Sequence, residues 1–270
     1  MQVFIINLDR SKERLAFQTQ QFVRLGLSFQ RLPAVSVDDI SEADYHALGF
    51  GWQRPLRKVE VACFLSHQKA WETVLSSNQP ALILEDDAVL AQHLPAVLQE
   101  IEQQAFDDVD LINFEVRSRK KIISKQPEYQ LAAGQTALYT LYQDRTGAAG
   151  YLLYPSGAKK LLQRLSETAP AIADGFIFSH YGLQCLQAEP AAIIQEDQMA
   201  AYGLMPAEQF ESVIGRSEHH KPVYASIAEK RKFKHRRLAG QWAMACRYMQ
   251  VMFKAQKRFI RLDQAQFQQD

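Results

Sequence analysis

Three consecutive carboxylates follow an apolar segment in the first third of the chain. Ala81–Leu84 has the length and composition of a buried strand, and Glu85, Asp86 and Asp87 come directly after it. Like charges at the end of an apolar strand repel one another and lose hydration, so folding alone gives no reason for them. Carboxylates are the ligands that Mn²⁺ and Mg²⁺ prefer. We therefore predict that Asp87 and Glu85 hold such a metal, with a solvated acidic turn as the alternative.

Cations stand at the beginning of the first predicted helix. Val3–Leu8 predicts a buried strand, and Arg10 and Arg14 lie where the following helix starts. Because the helix dipole is positive at its N-terminus, cations are unfavourable there unless an anion also binds. We predict that Arg10 and Arg14, with the backbone of Asn7 and Leu8, bind a diphosphate. A solvated basic turn is the alternative.

Candidates for a general base follow other apolar segments. Asp174 follows the apolar segment 169–173, and burial there would raise its pKa into the range that suits proton abstraction. Asp174 could instead cap a helix that begins near Phe176. Glu115 and Asp197 also follow apolar strands and are the alternatives for the base.

A helix predicted from residue 58 to residue 76 carries two polar residues on one face. Glu60 and His67 are seven positions apart, which places them on the same side of the helix. A lone histidine on a helix is often a structural hydrogen-bonding group, but the shared face makes both residues candidates for another side of the site. Gln195 follows Ile193-Ile194 and marks a further polar strand exit.

The elements that position these residues alternate between strands and helices. This order predicts an α/β fold with a mostly parallel central sheet. In such sheets ligands bind beyond the carboxyl ends of the strands, where the acidic cluster would project. The segment 38–57 contains Gly49, Gly51 and Pro55 and is predicted as a long loop.

Composition and charge exclude several classes of protein. The 270 residues are 47% hydrophobic, as in ordinary globular domains. The segment 229–261 holds eleven Lys or Arg residues and one acid, so the rest of the chain has a formal charge of −9. A basic tail on an acidic body is not a nucleic-acid-binding profile. Three widely spaced cysteines, no signal-peptide pattern and no long apolar span predict a cytoplasmic protein.

The basic segment also predicts a surface for membranes. After the cations at 230–237, apolar residues recur at helical spacing, including Leu238, Trp242, Met249 and Phe253. A basic amphipathic helix of this kind suits the interface of an anionic membrane. We predict peripheral contact with the inner face of the cytoplasmic membrane through 229–261. The alternative is that the apolar stripe packs on the rest of the protein.

Taken together, these motifs resemble glycosyltransferase family 25, the lipooligosaccharide β-galactosyltransferase family. The matching segments are Ile5–Arg14, Pro33-Ala34-Val35, Val59–His67 with Trp71, Leu82–Asp87, Gly147–Tyr151, Ala158–Leu162, Asp174 and Gln195. The resemblance covers roughly residues 2–200 and implies a GT-A-like, Rossmann-type nucleotide-sugar-binding domain, assigned to 1–205. A basic helical C-terminal extension is assigned to 206–270.

The resemblance also implies an activity. It would be an inverting, metal-dependent enzyme that moves a hexose, galactose in the named family, from a UDP-hexose to a lipid-linked saccharide of lipooligosaccharide or lipopolysaccharide. Glu85-Asp86-Asp87 would be the family's metal and diphosphate motif, while Ala34, Glu60, His67 and Gln195 would join donor binding. A metal-dependent phosphohydrolase and a non-catalytic sugar-binding homologue are the alternatives.

Overall fold

The computed structural model describes residues 1–104, 106, 108–205, 224 and 226–268. The strands of these residues, in chain order, are β1 Gln2–Asn7, β2 Gln30–Pro33, β3 Ala81–Glu85, β4 Ala88–Leu90, β5 Leu111–Asn113, β6 Glu115–Val116, β7 Lys121–Ser124, β8 Tyr129–Gln130, β9 Ala137–Gln143, β10 Gly150–Leu153, β11 Cys185–Glu189, β12 Ile193–Gln195 and β13 Ala255–Arg258. The helices are α1 Lys12–Arg24, α2 Glu42–Gly49, α3 Lys58–Ser77, α4 Leu94–Gln103, α5 Pro155–Glu167, α6 Ala173–Phe178 and α7 Ile227–Val251.

The strands form a large sheet and a small one. The large sheet has the order β13-β7-β9-β11-β5-β10-β3-β1-β2, with β8 beside β9, and the small sheet has the order β4-β12-β6. Strands β2, β1, β3, β5 and β11 run in one direction, and β10 runs the opposite way between β3 and β5. The predicted α/β class with a mostly parallel central sheet is confirmed, while β7, β8, β9 and β13 add antiparallel pairs at one side.

The topology brings several polar strand exits to one edge of the large sheet. The parallel strands β1, β3 and β5 end there at Asn7, Glu85 and Asn113. Because β10 runs in the opposite direction, it begins at the same edge, where Gly150 pairs with Leu84. This edge is where an open α/β sheet binds its ligands.

Aromatic packing fixes the rotation of α3 above this edge. Phe64 and Trp71 are fully buried and contact Phe176 of α6, with ring centroids 5.0 and 5.7 Å apart. Burying each of these side chains contributes about 1.5–3 kcal/mol. His67 lies three residues after Phe64 and four before Trp71, so the same packing turns it toward the sheet.

The loop predicted over 38–57 contains a helix, so that prediction was wrong for α2. Ser41 caps this helix, because its hydroxyl accepts a hydrogen bond from the Asp44 N–H at 3.0 Å. The Tyr45 hydroxyl donates to the Leu56 carbonyl at 2.7 Å and ties the helix to the returning chain. A helix of eight residues with weak amphipathic character gives too little periodic signal to be recognised.

The predicted basic helix at the C-terminus is confirmed as α7. Its own residues Phe233 and Val251 are buried, and Arg236 donates to the Phe50 carbonyl at 2.8 Å. Strand β13 follows and pairs with β7 at the end of the large sheet. The predicted domain boundary at 205/206 lies beside residues 206–223, which are outside the described residues, and it stays a prediction. None of the described helices has the length and apolar character that crossing a bilayer requires.

Candidate active site

The acidic residues form the turn between β3 and β4, and α1 holds this turn in place. The buried side-chain amide of Gln18 donates to the carbonyl oxygens of Asp86 and Ala88, at 3.1 and 2.8 Å. Hydrogen bonds to a buried backbone are costly to lose, because the carbonyls would be left without water. The turn that carries Glu85, Asp86 and Asp87 is therefore fixed at the ligand edge of the sheet.

Asp86 is directed toward β1 and α1 rather than toward solvent. Its two carboxylate oxygens accept hydrogen bonds from Asn7 Nδ2 at 2.8 Å and from Arg14 Nη1 at 2.7 Å. Asn7 also donates to the Ser11 carbonyl at 3.1 Å and accepts from Arg31 Nε at 3.0 Å. Asn7, predicted to bind the donor, is buried behind the site and positions the turn.

The two cations predicted to bind an anion have different surroundings. Arg14 also lies 3.8 Å from Asp87, and although burial lowers its pKa, Asp86 and Asp87 raise it by more. Asp86 and Asp87 thus already neutralise much of the positive charge of Arg14. Arg10 is 54% exposed, with Asp38 at 3.7 Å. Of these two arginines, Arg10 is therefore the one whose charge a bound anion would stabilise.

A pocket, termed the nucleotide pocket after the donor binding that the sequence predicts for its residues, runs from the acidic turn to the start of α1. Its lining includes most of the residues that the sequence proposed for donor binding: Leu8, Arg10, Arg14, Ala34, His67, Glu85, Asp86 and Asp87. Ser11 precedes α1 and lines the pocket, but its side chain does not cap the helix. Because helix N-termini favour negative charge, an anionic ligand in this pocket would be stabilised by this end of α1.

His67 is a buried link between the core and the acidic turn. Its Nδ1 lies 2.9 Å from the Tyr151 hydroxyl, and its Nε2 lies 3.1 Å from Glu85 Oε1. The Tyr151 hydroxyl accepts from Trp71 Nε1 at 2.9 Å, so its own proton is directed to Nδ1. This places the proton of a neutral His67 on Nε2, where it donates to the Glu85 carboxylate. Burial raises the pKa of Glu85, but His67, Arg117 and Arg14 lower it by more.

Of the three acids in the turn, Asp87 is the one whose negative charge is least stabilised by its neighbours. Burial together with Glu85 and Asp86 raises its pKa to about 7. Gln195 Nε2 donates to Glu85 Oε2 at 3.0 Å and to Asp87 Oδ1 at 3.4 Å, so the two carboxylates converge on one nitrogen. A divalent cation between them would remove the repulsion that raises this pKa. The oxygen ligands therefore fit Mn²⁺ or Mg²⁺.

Arg117 extends this network and was not identified from the sequence. Its Nη1 donates to Gln195 Oε1, and its Nη2 lies 3.4 Å from Asp197 Oδ2. It comes two residues after Glu115 at the end of an apolar strand, which was the local signal that could have singled it out. Cys63 was also missed, although it lies where the nucleotide pocket meets the next chamber.

That second chamber, termed the Asp174 chamber, has a volume of about 210 Å³. It is lined by Glu60, Cys63, Glu85, Arg117, Gly147, Ala148, Ile172, Ala173, Asp174 and Gln195. Gly147 has a φ of +106°, which a residue with a Cβ rarely adopts, and a Cβ would lie 3.2 Å from Glu115 Oε2. The small residues thus leave room for a ligand beside Glu85.

Asp174 lies in the first turn of α6. The residue that caps this helix is Ile172, so the alternative in which Asp174 is the cap was wrong. Its Oδ1 accepts a hydrogen bond from the Gly175 N–H at 2.6 Å. Burial raises the pKa of Asp174 to about 6, which suits a group that must take a proton near neutral pH.

The other two candidates for the base are placed less well. Glu115 is fully buried, its Oε2 accepts from the Ala149 N–H at 2.7 Å, and burial raises its pKa to about 8. Asp197 is 52% exposed and faces Arg117. Neither residue lines the nucleotide pocket or the Asp174 chamber within the described part of the chain.

Glu60 and His67 share a face of α3, but they line different spaces. Glu60 accepts hydrogen bonds from Arg54 at 2.7 and 2.8 Å and from Arg57 Nη2 at 3.1 Å. Burial raises the pKa of Glu60, but these arginines lower it by more. Glu60 therefore lines the Asp174 chamber as an ion-paired carboxylate, while His67 lines the nucleotide pocket.

The fold and the site together define an α/β protein with a pocket lined by arginines and carboxylates, a metal-compatible acidic turn and an adjoining chamber that holds a buried carboxylate. The family model described as glycosyltransferase family 25 (LPS biosynthesis protein) matches residues 1–178. The chain belongs to this family, which confirms the resemblance seen in its motifs.

Individual relatives extend this comparison. A glycosyltransferase 25 family member from Aedes aegypti is 30% identical over 173 residues, which are 60% of this chain and 28% of the relative. The lacto-N-neotetraose biosynthesis glycosyltransferase LgtE of Neisseria gonorrhoeae is 26% identical, with 75% of this chain and 76% of the relative covered. The solved catalytic domain of Drosophila β1,4-galactosyltransferase 7 with xylobiose has a TM-score of 0.40 and 11% identity, covering 87% and 79% of the two chains. The chain spans less than a third of the length of the mosquito relatives.

Proposed function

We propose that this protein is an inverting, metal-dependent glycosyltransferase that moves galactose from UDP-galactose to a saccharide of lipooligosaccharide or lipopolysaccharide. The observation that carries the proposal is the position of Glu85 and Asp87, since both line the nucleotide pocket and Glu85 also lines the Asp174 chamber. The family description as an LPS biosynthesis protein supports the acceptor class, and a relative named procollagen galactosyltransferase 1, from Danio rerio, supports the donor sugar.

The residues divide the chemistry between the two spaces. Asp87 and Glu85 would hold Mn²⁺ or Mg²⁺, which supplies positive charge against the charge that develops on departing UDP. Arg10 and the first amide groups of α1 bind the diphosphate. Asp174 takes the proton of the acceptor hydroxyl, which attacks the sugar carbon in a single displacement and inverts it.

A transfer assay tests this proposal directly. The full chain is incubated with UDP-galactose, UDP-glucose or UDP-N-acetylglucosamine and Mn²⁺, with and without an oligosaccharide acceptor, and UDP release is measured. We expect acceptor-dependent UDP release that EDTA abolishes, and a product of inverted anomeric configuration by NMR. Release of inorganic phosphate would favour a phosphohydrolase, and UDP-sugar binding without release would favour a non-catalytic homologue.

Matched variants identify the acidic ligand. Asp87→Asn is expected to lower turnover by at least about 100-fold, because loss of one charge-stabilising group costs that much in other sites. Asp44→Asn removes the same charge from an exposed residue that lines neither the nucleotide pocket nor the Asp174 chamber, and it serves as the control. Circular dichroism verifies that both variants fold. Near-full transfer by Asp87→Asn would contradict the metal assignment.

We also propose that α7 holds the enzyme on the cytoplasmic face of an anionic membrane, near a lipid-linked acceptor. The predicted apolar stripe does not pack on the domain, since Leu238, Trp242, Met249 and Phe253 are 50%, 69%, 56% and 86% exposed. The packing alternative was therefore wrong for these residues. Each nearby Lys or Arg contributes roughly 1 kcal/mol at an anionic surface.

Flotation with liposomes tests the membrane proposal. The full chain is expected to float with phosphatidylglycerol vesicles at low salt. It should not float with phosphatidylcholine vesicles, or with either kind of vesicle at high salt. Trp242→Glu with Phe253→Glu should abolish flotation, whereas Val23→Glu, at another exposed apolar residue, should not. Absence of flotation by the unmodified chain at low salt would refute the proposal.

A further inference from the structure

A third cavity, of about 630 Å³, lies next to the Asp174 chamber. Side chains of α5, α6 and α7 and the segment 51–53 contribute to its lining. We term it the arginine cavity, because Arg119, Arg145, Arg164 and Arg236 all line it. It is three times as large as the chamber of about 210 Å³ that holds Asp174.

Two of the four arginines have neutral hydrogen-bond partners in the part of the chain that the structure describes. Arg164 donates to the Phe176 carbonyl at 2.8 Å and to Ser179 Oγ at 3.0 Å. Arg236 donates to the Phe50 carbonyl at 2.8 Å. A guanidinium that is held by carbonyls and hydroxyls keeps its full charge for a further, anionic partner.

The acid of the cavity lining is already neutralised. Among the described lining residues this acid is Asp144, and its Oδ2 lies 2.6 Å from Nζ of Lys121. Both side chains are nearly inaccessible, at 2% and 1% exposure. The other oxygen of Asp144 accepts from the N–H groups of Arg145 and Thr146, at 2.6 and 3.1 Å. The described lining residues therefore leave the positive charge of the four arginines uncompensated.

The position of the cavity relates it to the acceptor rather than to the nucleotide. Ile172 lines both the cavity and the Asp174 chamber, and Gly175 of the cavity directly follows Asp174. Within the described residues, the cavity and the nucleotide pocket share no lining residue. The Asp174 chamber therefore lies between the nucleotide pocket and the arginine cavity. Trp52 and Tyr181 also line the cavity and offer aromatic faces to a ligand.

We propose that the arginine cavity is the acceptor subsite and that it binds an anionic group, a phosphate or a carboxylate, carried by the acceptor saccharide. This inference rests on the proposed function, because it requires an acceptor hydroxyl at Asp174. Phosphate and carboxylate both accept paired hydrogen bonds from guanidinium groups, so they share the chemistry that the cavity recognises. The remaining sugar hydroxyls of such an acceptor extend into the Asp174 chamber.

Calorimetry with simple sugars tests the subsite without need of the natural acceptor. The full chain, saturated with UDP and Mn²⁺, is titrated with glucose 6-phosphate, glucuronate and glucose. We expect at least one anionic sugar to bind about tenfold tighter than glucose or better, as a charge-assisted pair of hydrogen bonds would give. Preference for glucose 6-phosphate identifies a phosphate group on the acceptor, and preference for glucuronate identifies a carboxylate.

Two double variants give the matched comparison. Arg119→Gln with Arg145→Gln is expected to remove the preference for the anionic sugar while UDP affinity is unchanged. Arg24→Gln with Lys69→Gln removes the same net charge from exposed positions outside the cavity and should keep the preference. Absence of any preference in the unmodified chain, or equal loss in both variants, would overturn the anionic subsite. Failure to bind UDP would instead contradict the proposed function.

Discussion

The raised pKa of Asp174 gives a quantitative prediction for the pH dependence of transfer. A general base must be unprotonated, and burial raises the pKa of this carboxyl to about 6. With that value about one tenth of Asp174 is ionised at pH 5 and about nine tenths at pH 7. We therefore expect kcat to rise roughly tenfold between pH 5 and pH 7. A base with an ordinary carboxyl pKa of about 3.9 would give a flat profile over the same range.

The assay must separate Asp174 from Asp87, whose pKa is raised to about 7 by burial and by Glu85 and Asp86. Protonation of Asp87 would weaken binding of metal and donor, whereas protonation of Asp174 would slow the chemical step. Transfer is therefore measured at saturating Mn²⁺ and donor, and UDP affinity is measured separately by calorimetry at each pH. A decline of kcat at low pH with constant UDP affinity would assign the titration to Asp174.

The variant Asp174→Asn gives a second test, because it should lower the rate of transfer and raise the stability of the protein. It should lower kcat by about 10²–10⁴-fold and leave UDP affinity unchanged. Because the folded state binds the proton of Asp174 more tightly than the unfolded state does, this residue's contribution to stability is lost as pH rises through about 6. At pH 7 its buried charge costs on the order of 1–2 kcal/mol after allowance for partial exposure.

The asparagine keeps an oxygen for the Gly175 N–H, so the variant should be more stable than the unmodified chain at pH 7. Thermal unfolding at pH 7 and pH 4 measures this, and the difference should disappear at pH 4. A flat pH profile of the unmodified chain, or a variant that transfers at the normal rate, would refute the assignment of the base.

The remaining predictions concern the two buried ion pairs and the exposed cation of the nucleotide pocket. Arg10→Ala should weaken UDP binding by about tenfold in calorimetry with little effect on stability, because its side chain is exposed. Arg14→Ala should lower the free energy of unfolding by about 3 kcal/mol in urea titration, since it leaves Asp86 buried without its cation, and unchanged stability would contradict this. Lys121→Met should destabilise the protein by a similar amount, about 3–5 kcal/mol, because Asp144 loses the same kind of partner, and Lys121→Arg is the control.

The parts of the fold that local patterns specify were predictable. The ends of β1, α3 and β3 agree with the predicted elements within two residues, because apolar runs and helical periodicity mark them in the sequence. Pairings between distant segments leave no such mark. The insertion of β10 between β3 and β5, and the addition of β13 to the sheet edge, depend on contacts between residues far apart in the chain.

The same distinction applies to the site. The acidic turn was evident from the sequence because three carboxylates after an apolar strand repel one another and lose hydration. The partners that define its chemistry were not evident, since Arg14 and Asp86 are 72 residues apart and Arg117 and Gln195 are 78 residues apart. A single sequence gives no indication of which distant cation will meet which carboxylate.

These long-range partners give the three adjacent acids different properties. Asp86 is held by Arg14 and Asn7 and fixes the backbone of the turn. Glu85 accepts from His67 and Gln195, so it is oriented and kept ionised. Asp87 retains long contacts and a pKa near 7, which means that its charge is unfavourable until a cation binds. A cation bound at this edge would therefore relieve a repulsion that folding leaves in place, and Asp87 is the residue at which that relief should be greatest.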